Sequence, residues 1–282
     1  VNRIILAVTV GSVLVFLPQI PTDRHFCQGL FEEIIAEEGL ELLGWRTVPV
    51  EDRVIGEFAI DLQPRIKQIF IGRGARKVDR DALERKLYVV RKRVQAEVRR
   101  QLERACHYFY VASLSTRTVV YKGMLIAEQI GPYFPDLADQ TIVSALALVH
   151  QRFSTNTFPT WDLAHPFRYI AHNGEINTVR GNVNWFKARE QAISSPLLGD
   201  DLKKVWPLHY PGQSDSASFD NALELLVMGG YSLAQAMMLM IPEAWEKHTL
   251  MDENRRAFYE YHAAMMEPWD GPAAVAFTDG RQ

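Results

Sequence analysis

Cysteine is scarce: two in 282 residues, Cys27 and Cys106, far apart and in no CxxC pair. That excludes a disulfide framework and a Cys-based zinc site, and it fits a reducing, cytoplasmic setting. Such thiols read as small buried residues. Excess charge of either sign is lacking too. A net charge of −3 leaves no basic face for nucleic acid. The main apolar run, 4–17 (IILAVTVGSVLVFL), falls short of the roughly 20 residues a membrane-crossing helix needs. Following Arg3, it could pass for the core of a signal peptide. Its Val and Ile content, Gly11 and Ser12 midway and Pro18 at its end favour two short strands or one bent strand. The chain has no HExxH, GxGxxG, Walker-type phosphate loop or GxSxG, so neither a metal site nor a nucleotide fold nor a serine hydrolase is indicated. Repeats, low-complexity tracts and Pro/Gly-rich linkers are also missing, which favours a single domain over 1–282.

What is present is a globular composition, 48% hydrophobic and 23% charged, ample for a buried core. Apolar and acidic residues at helical spacing predict a helix over 26–43, capped by Thr22 or Asp23. Residues 45–50 and 67–71 read as strands. The strongest helical signal covers 79–104, where Leu83, Leu87, Val90, Val94 and Val98 mark one face. The Arg, Lys and Glu between them predict an ordinary solvated face. A hairpin is expected from 108–114 and 118–122, then strands over 141–152 and 169–176. Helices are expected over 182–193, 218–228, 233–240 and 253–265, and a final strand over 273–277. Mixed helices and hairpin-linked strands point to an α+β fold with antiparallel sheet.

The chemistry concentrates in 150–185, HQRFSTNTFPTWDLAHPFRYIAHNGEINTVRGNVNW. His150, His165 and His172, with Arg152, Arg168 and Arg180 and several Asn, crowd among aromatics. Polar groups are costly to bury unless satisfied, so this is either a surface loop or a binding site. Arg152, following a strand, can take a carboxylate bidentately. Asn173 and Gly174 can aim a side-chain amide and an unobstructed backbone N–H at one point, as in an oxyanion hole. The same pair is also a strong plain-turn signal. Asp215, in QSDS before a helix, can accept from a substrate ammonium group. Either it or Ser216 can equally be a simple N-cap.

The 150–185 string resembles the signature of the glutamine amidotransferase domain of the glutamate synthases. The likeness continues through YKGMLIAEQIGPYFPDL (121–137), SDSASFDNALELL (214–226) and MEPWDGPAAVAFTDG (266–280), and more weakly through GWRTVPV (44–50). It implies a class-II amidotransferase with the N-terminal-nucleophile fold, a four-layer αββα sandwich with antiparallel sheets. It implies hydrolysis of L-glutamine to glutamate and ammonia through a thioester on an N-terminal Cys whose own α-amine is the base. Arg152 would hold the glutamine α-carboxylate, helped by Ser154 or Thr155. Asn173 and Gly174 would form the oxyanion hole, and Asp215 would bind the α-ammonium. Glu175, Asn177 and Arg180 would brace the loop. Ammonia would pass to 2-oxoglutarate in a flavin domain. FMN and an iron–sulfur cluster would lie outside this chain, with electrons from a pyridine-nucleotide-linked subunit or ferredoxin. The family's starting Cys, its HRG stretch and its GDGAG-like loop have no counterpart in these 282 residues. The expectation is therefore a fragment, incomplete at both ends and inactive alone. Two alternatives stand beside it: a catalytically dead glutamine-binding module, and another class-II amidotransferase.

Overall fold

The structure is a computed structural model that describes residues 10–75, 78–102, 104, 106–151, 153 and 157–282. It mixes helices with two antiparallel sheets. The first sheet has the order β2-β3-β1-β4, from β1 (Val10–Leu17), β2 (Glu41–Thr47), β3 (Arg65–Gly72) and β4 (Tyr110–Val111). The second pairs β5 (Ile170–Gly174) with β6 (Ala273–Phe277).

The apolar run near the start supplies the central strand, which settles its reading as strand for Val10–Leu17. Its alternation serves two cores at once. Val13, Val15 and Leu17 pack with α1 (Pro21–Glu37) and α3 (Arg80–Gln101). Leu14 and Phe16 face Val48, Ile66, Tyr133 and Trp161 on the other side. The short helices α2 (Glu57–Asp61) and α4 (Ile130–Tyr133) flank that second core. A third core joins β5 to α5 (Val179–Arg189), α6 (Asp215–Gly229) and α7 (Leu233–Met240), with Trp269 at its centre. Beyond it, α8 (Glu253–Ala263) is capped by Asp252, which accepts from Asn254 and Arg255 N–H. Among the described residues, no helix is long and apolar enough to cross a membrane.

Several expectations need correction. Helix α1 starts five residues before the predicted 26, with Pro21 in its first turn and Ile20, which makes no side-chain cap, in the N-cap position. Pro fits there because its missing N–H would have no intrahelical acceptor. The predicted hairpin is absent. Residues 110–115 instead run along β1, with Ala112 N–H donating to Leu14 O at 2.9 Å and Ser12 N–H to Ser115 O at 3.0 Å. β1 offers that edge backbone partners from Phe16 to Ser12, whereas Val120 N–H donates to the Ser113 hydroxyl. The strand expected over 141–152 does not form among the described residues, where Val143 is 87% exposed. A two-residue period makes a strand only where a ladder partner exists, and none lies beside it among the described residues.

The polar face of α3 is not solvated either. Glu84, Arg91, Lys92 and Gln95 are buried. Arg91 pairs with Glu224 of α6 and with Gln95. Lys92 Nζ donates to the carbonyls of Pro207 and Leu208 at 2.8 and 3.0 Å. Helix α3 is thus a partition, apolar toward the four-stranded sheet and ion-paired toward α6.

Candidate functional site

Strand β5 leaves the third core at Ile170 and Ala171, buries His172, and exposes Asn173 and Gly174 at its end. Helix α6 begins beside that end. Ser214 is its N-cap, accepting from Ala217 N–H at 3.1 Å. The expectation that Asp215 or Ser216 caps the helix is corrected by that bond: with Ser214 in place, Asp215 is the first helical residue and its carboxylate is free to point elsewhere.

It points at the segment after β5. Asp215 Oδ2 accepts from Ile176 N–H at 2.9 Å, and Oδ1 accepts from Ser216 N–H at 2.7 Å and from the Ser216 hydroxyl at 3.2 Å. A carboxylate offers about four acceptor positions, so Oδ2 keeps one for a further donor. Five residues along α6, Asp220 Oδ1 accepts from Tyr169 N–H at 2.8 Å. Two aspartates on one helix therefore hold both ends of β5, and the positions of Asn173 and Gly174 follow from that clamp.

Asp220 is kept in place by charge. Arg168 bonds Asp220 and Glu224, both at 2.8 Å, and Asn221 Oδ1 at 2.6 Å. Burial opposes charge on Arg168, but Glu224 and Asp220 outweigh it and raise its pKa. Burial likewise opposes charge on Glu224, and Arg168 and Arg91 hold its pKa low.

The turn after β5 is braced by residues 267–272. Asn177 N–H donates to Asp270 O at 2.8 Å and Glu175 N–H to Pro272 O at 3.2 Å. Asn182 Nδ2 donates to Pro268 O at 3.0 Å, and Asp270 N–H to the Thr178 hydroxyl at 2.9 Å. The bracing role expected of Asn177 falls to its backbone, and Thr178 and Asn182 supply the side chains. The side chain of Arg180 is exposed, and nothing in its surroundings gives it that role.

Behind Asn173 lies a buried histidine group. His172 Nδ1 is 2.7 Å from the Ser216 hydroxyl, and His165 Nδ1 accepts from His172 N–H at 3.4 Å. His165 also stacks on His150, ring centres 4.4 Å apart. Burial, with His150 next, pushes His165 down to about 3, and burial lowers His172 against the opposing pull of Asp215. Lys122 is close enough to depress His165 further. Its own Nζ is buried over the rings of Tyr110 and Phe167, without a hydrogen-bond partner among the described residues.

The structure thus brings together Asn173, Gly174 and Asp215. Arg152, Ser154 and Thr155 lie outside the described residues. Sequence reasoning missed the roles of Ser216, Asp220 and Glu224, whose partners are far away in the chain. His165, His172 and Arg168 stood out only as unusual. Among the described residues, no group of three His, Cys, Asp or Glu side chains could hold a metal ion. Cys27 is fully buried in α1, and burial pushes its thiol up to about 12.

A family model for class-II glutamine amidotransferases matches residues 4–282. The chain is similar to the glutamate synthase (NADPH) large chain of Bacillus subtilis, 50% identical over 275 residues, 96% of this chain and 18% of the relative. It is 43% identical over 268 residues to the glutamate synthase (NADPH) large chain of Azospirillum brasilense, 95% of this chain and 17% of the relative. It is 41% identical over 274 residues to the chloroplastic ferredoxin-dependent glutamate synthase of Oryza sativa, 96% of this chain and 17% of the relative. The chain therefore spans less than a fifth of the length of these relatives.

Proposed function

The chain belongs to the class-II glutamine amidotransferases, and from that premise we propose that it is the glutamine-handling domain of a glutamate synthase. The observation that carries the reading is the convergence of Asn173 and Gly174, at the exposed end of β5, with the Asp215 carboxylate at the start of α6. The free acceptor position on Asp215 suits the α-ammonium of L-glutamine. Arg152 takes the α-carboxylate, helped by the hydroxyl of Ser154 or Thr155. The Asn173 amide and Gly174 N–H receive the negative charge that develops on the side-chain carbonyl oxygen during attack. Donors fixed in advance at that oxygen stabilise the transition state more than the ground state.

The attacking group in this reading is a cysteine thiolate at a mature N-terminus, which forms a thioester, releases ammonia and is freed by water as glutamate leaves. Cys27 does not suit that part, being inside a helix with a raised pKa. Asn173, Gly174 and Asp215 supply charge stabilisation and ammonium binding. On this reading residues 1–282 belong to one cytoplasmic amidotransferase domain. Its two antiparallel sheets belong to an αββα sandwich, with α1 and α3 layered on the four-stranded sheet.

Ammonia then reaches 2-oxoglutarate in a flavin domain outside this chain. FMN resides there, and so does the iron–sulfur cluster, since a cluster needs more thiolates than two cysteines supply. The names of the relatives carry different electron donors, NADPH or ferredoxin. The electron-donating partner is accordingly met by other parts of the protein.

Glutamine hydrolysis by the full-length protein carrying Asn173→Ala tests the reading. Loss of an oxyanion donor costs roughly 100-fold or more in kcat. An unchanged kcat would remove Asn173 from the site.

A further inference from the structure

Beside Asp215 lies a side-chain chain that the proposed roles leave unused. The Ser216 hydroxyl sits 2.7 Å from His172 Nδ1 and 3.2 Å from Asp215 Oδ1. A carboxylate only accepts, so the single hydroxyl hydrogen of Ser216 is directed to Asp215. The same oxygen then accepts from His172, which fixes the imidazole as the tautomer protonated on Nδ1. The other ring nitrogen, Nε2, is buried without a hydrogen-bond partner among the described residues. Asp215 Oδ2 also lies 4.0 Å from Nδ1, beyond hydrogen-bond distance, so among the described residues Ser216 is the group that orients the ring.

Helix capping does not explain this arrangement. Ser214 already caps α6. Ser216 instead turns its hydroxyl toward β5, and Asp215 receives two bonds from Ser216 on one oxygen and Ile176 N–H on the other. The carboxylate is thereby held from both sides, with the remaining acceptor position on Oδ2.

We propose that His172 and Ser216 are a positioning pair that fixes the Asp215 carboxylate for recognition of the substrate α-ammonium, relative to the Asn173 and Gly174 donors on the same strand. The pair links oxyanion and ammonium subsites through two side chains, His172 being the immediate neighbour of Asn173. This rests on the reading of Asp215 as the ammonium site.

The test compares L-glutamine with glutaramate, which has the same side-chain amide and carboxylate but no α-ammonium, using the full-length protein. Ser216→Ala is expected to lower kcat/KM for glutamine about tenfold, mainly through KM, and to leave glutaramate unchanged, as expected for loss of one charge-assisted contact. Ser216→Thr should restore the discrimination, since it returns the hydroxyl. If Ser216→Ala does not fold, His172→Asn serves, because its amide can still donate toward Ser216 and should keep more discrimination than His172→Ala. Equal losses for both substrates, or no loss, would overturn the positioning pair. If the unmodified protein itself fails to discriminate, the ammonium reading of Asp215 falls first, and the pair with it. Discrimination that survives Ser216→Ala removes the pair alone.

Discussion

Gly174 and Pro272 meet so closely that a Cβ built on Gly174 would lie 1.9 Å from the Pro272 carbonyl oxygen. The glycine also has φ of +114°, a conformation other residues rarely adopt. The segment leading into β6 is built to match: a Cβ on Gly271 would lie 2.0 Å from Glu175 O. Two backbones run past each other with no room for side chains, and this contact sets where the Gly174 N–H points.

Gly174→Ala should therefore cost well over ~1 kcal/mol of stability, since it adds backbone strain to a clash with main-chain atoms. A fall of several degrees in Tm is expected in thermal unfolding, together with loss of glutamine hydrolysis. An unchanged Tm would mean that the 267–272 segment moves away freely and does not brace the site.

The elements around this site were legible where the pattern is local. α7 and β6 have the predicted bounds, and β5 and α6 lie within a few residues of theirs. The convergence of Asn173, Gly174 and Asp215 was legible through long motifs, not through spacing. Main-chain contacts such as Asn177 N–H to Asp270 O leave no mark on side-chain patterns. The polar face of α3 was misread for a related reason. Arg91 and Lys92 look solvated until α6 and the 207–208 carbonyls, more than a hundred residues away, are placed against them. Residues 141–150 show the converse, a strand-like pattern with no ladder to join.

Glu224 accepts from both Arg168 and Arg91 in the buried interface between α3 and α6. Glu224→Ala leaves two buried guanidinium groups short of a counter-charge, a loss of about 3–5 kcal/mol for a pair broken from one side. Urea unfolding should show a large drop in midpoint. A loss under ~1 kcal/mol would show that water reaches the network.

Lys122 gives the opposite sign. Burial lowers its pKa to about 7 from the ordinary lysine value of 10.5. Between those values the unfolded chain binds more protons than the folded one, so this group makes stability rise with pH from about 7 to about 10.5. At and below neutrality its burial is a full penalty. Lys122→Met should stabilise the protein at pH 7 by a few kcal/mol, with a gain that shrinks toward pH 10. A variant less stable at pH 7 would mean that the stacking over Tyr110 and Phe167 outweighs desolvation.

His165 governs the acid side. Its pKa is lowered from 6.5 to about 3, first by burial and then by His150. The folded state therefore resists a proton that the unfolded chain accepts below about pH 6.5. Stability is fully present above that pH and is lost progressively as pH falls toward 3. At 1.36 kcal/mol per pH unit the loss from this one residue reaches about 2 kcal/mol at pH 5. His165→Asn should flatten the decline between pH 7 and 5, because Asn does not titrate and its side-chain oxygen can still accept from His172 N–H. Urea midpoints at the two pH values read the slope directly. An unchanged slope would assign the acid sensitivity elsewhere, first to His209, which burial lowers to about 4. In that case His165 would take up its proton in the folded state, against the burial that surrounds it.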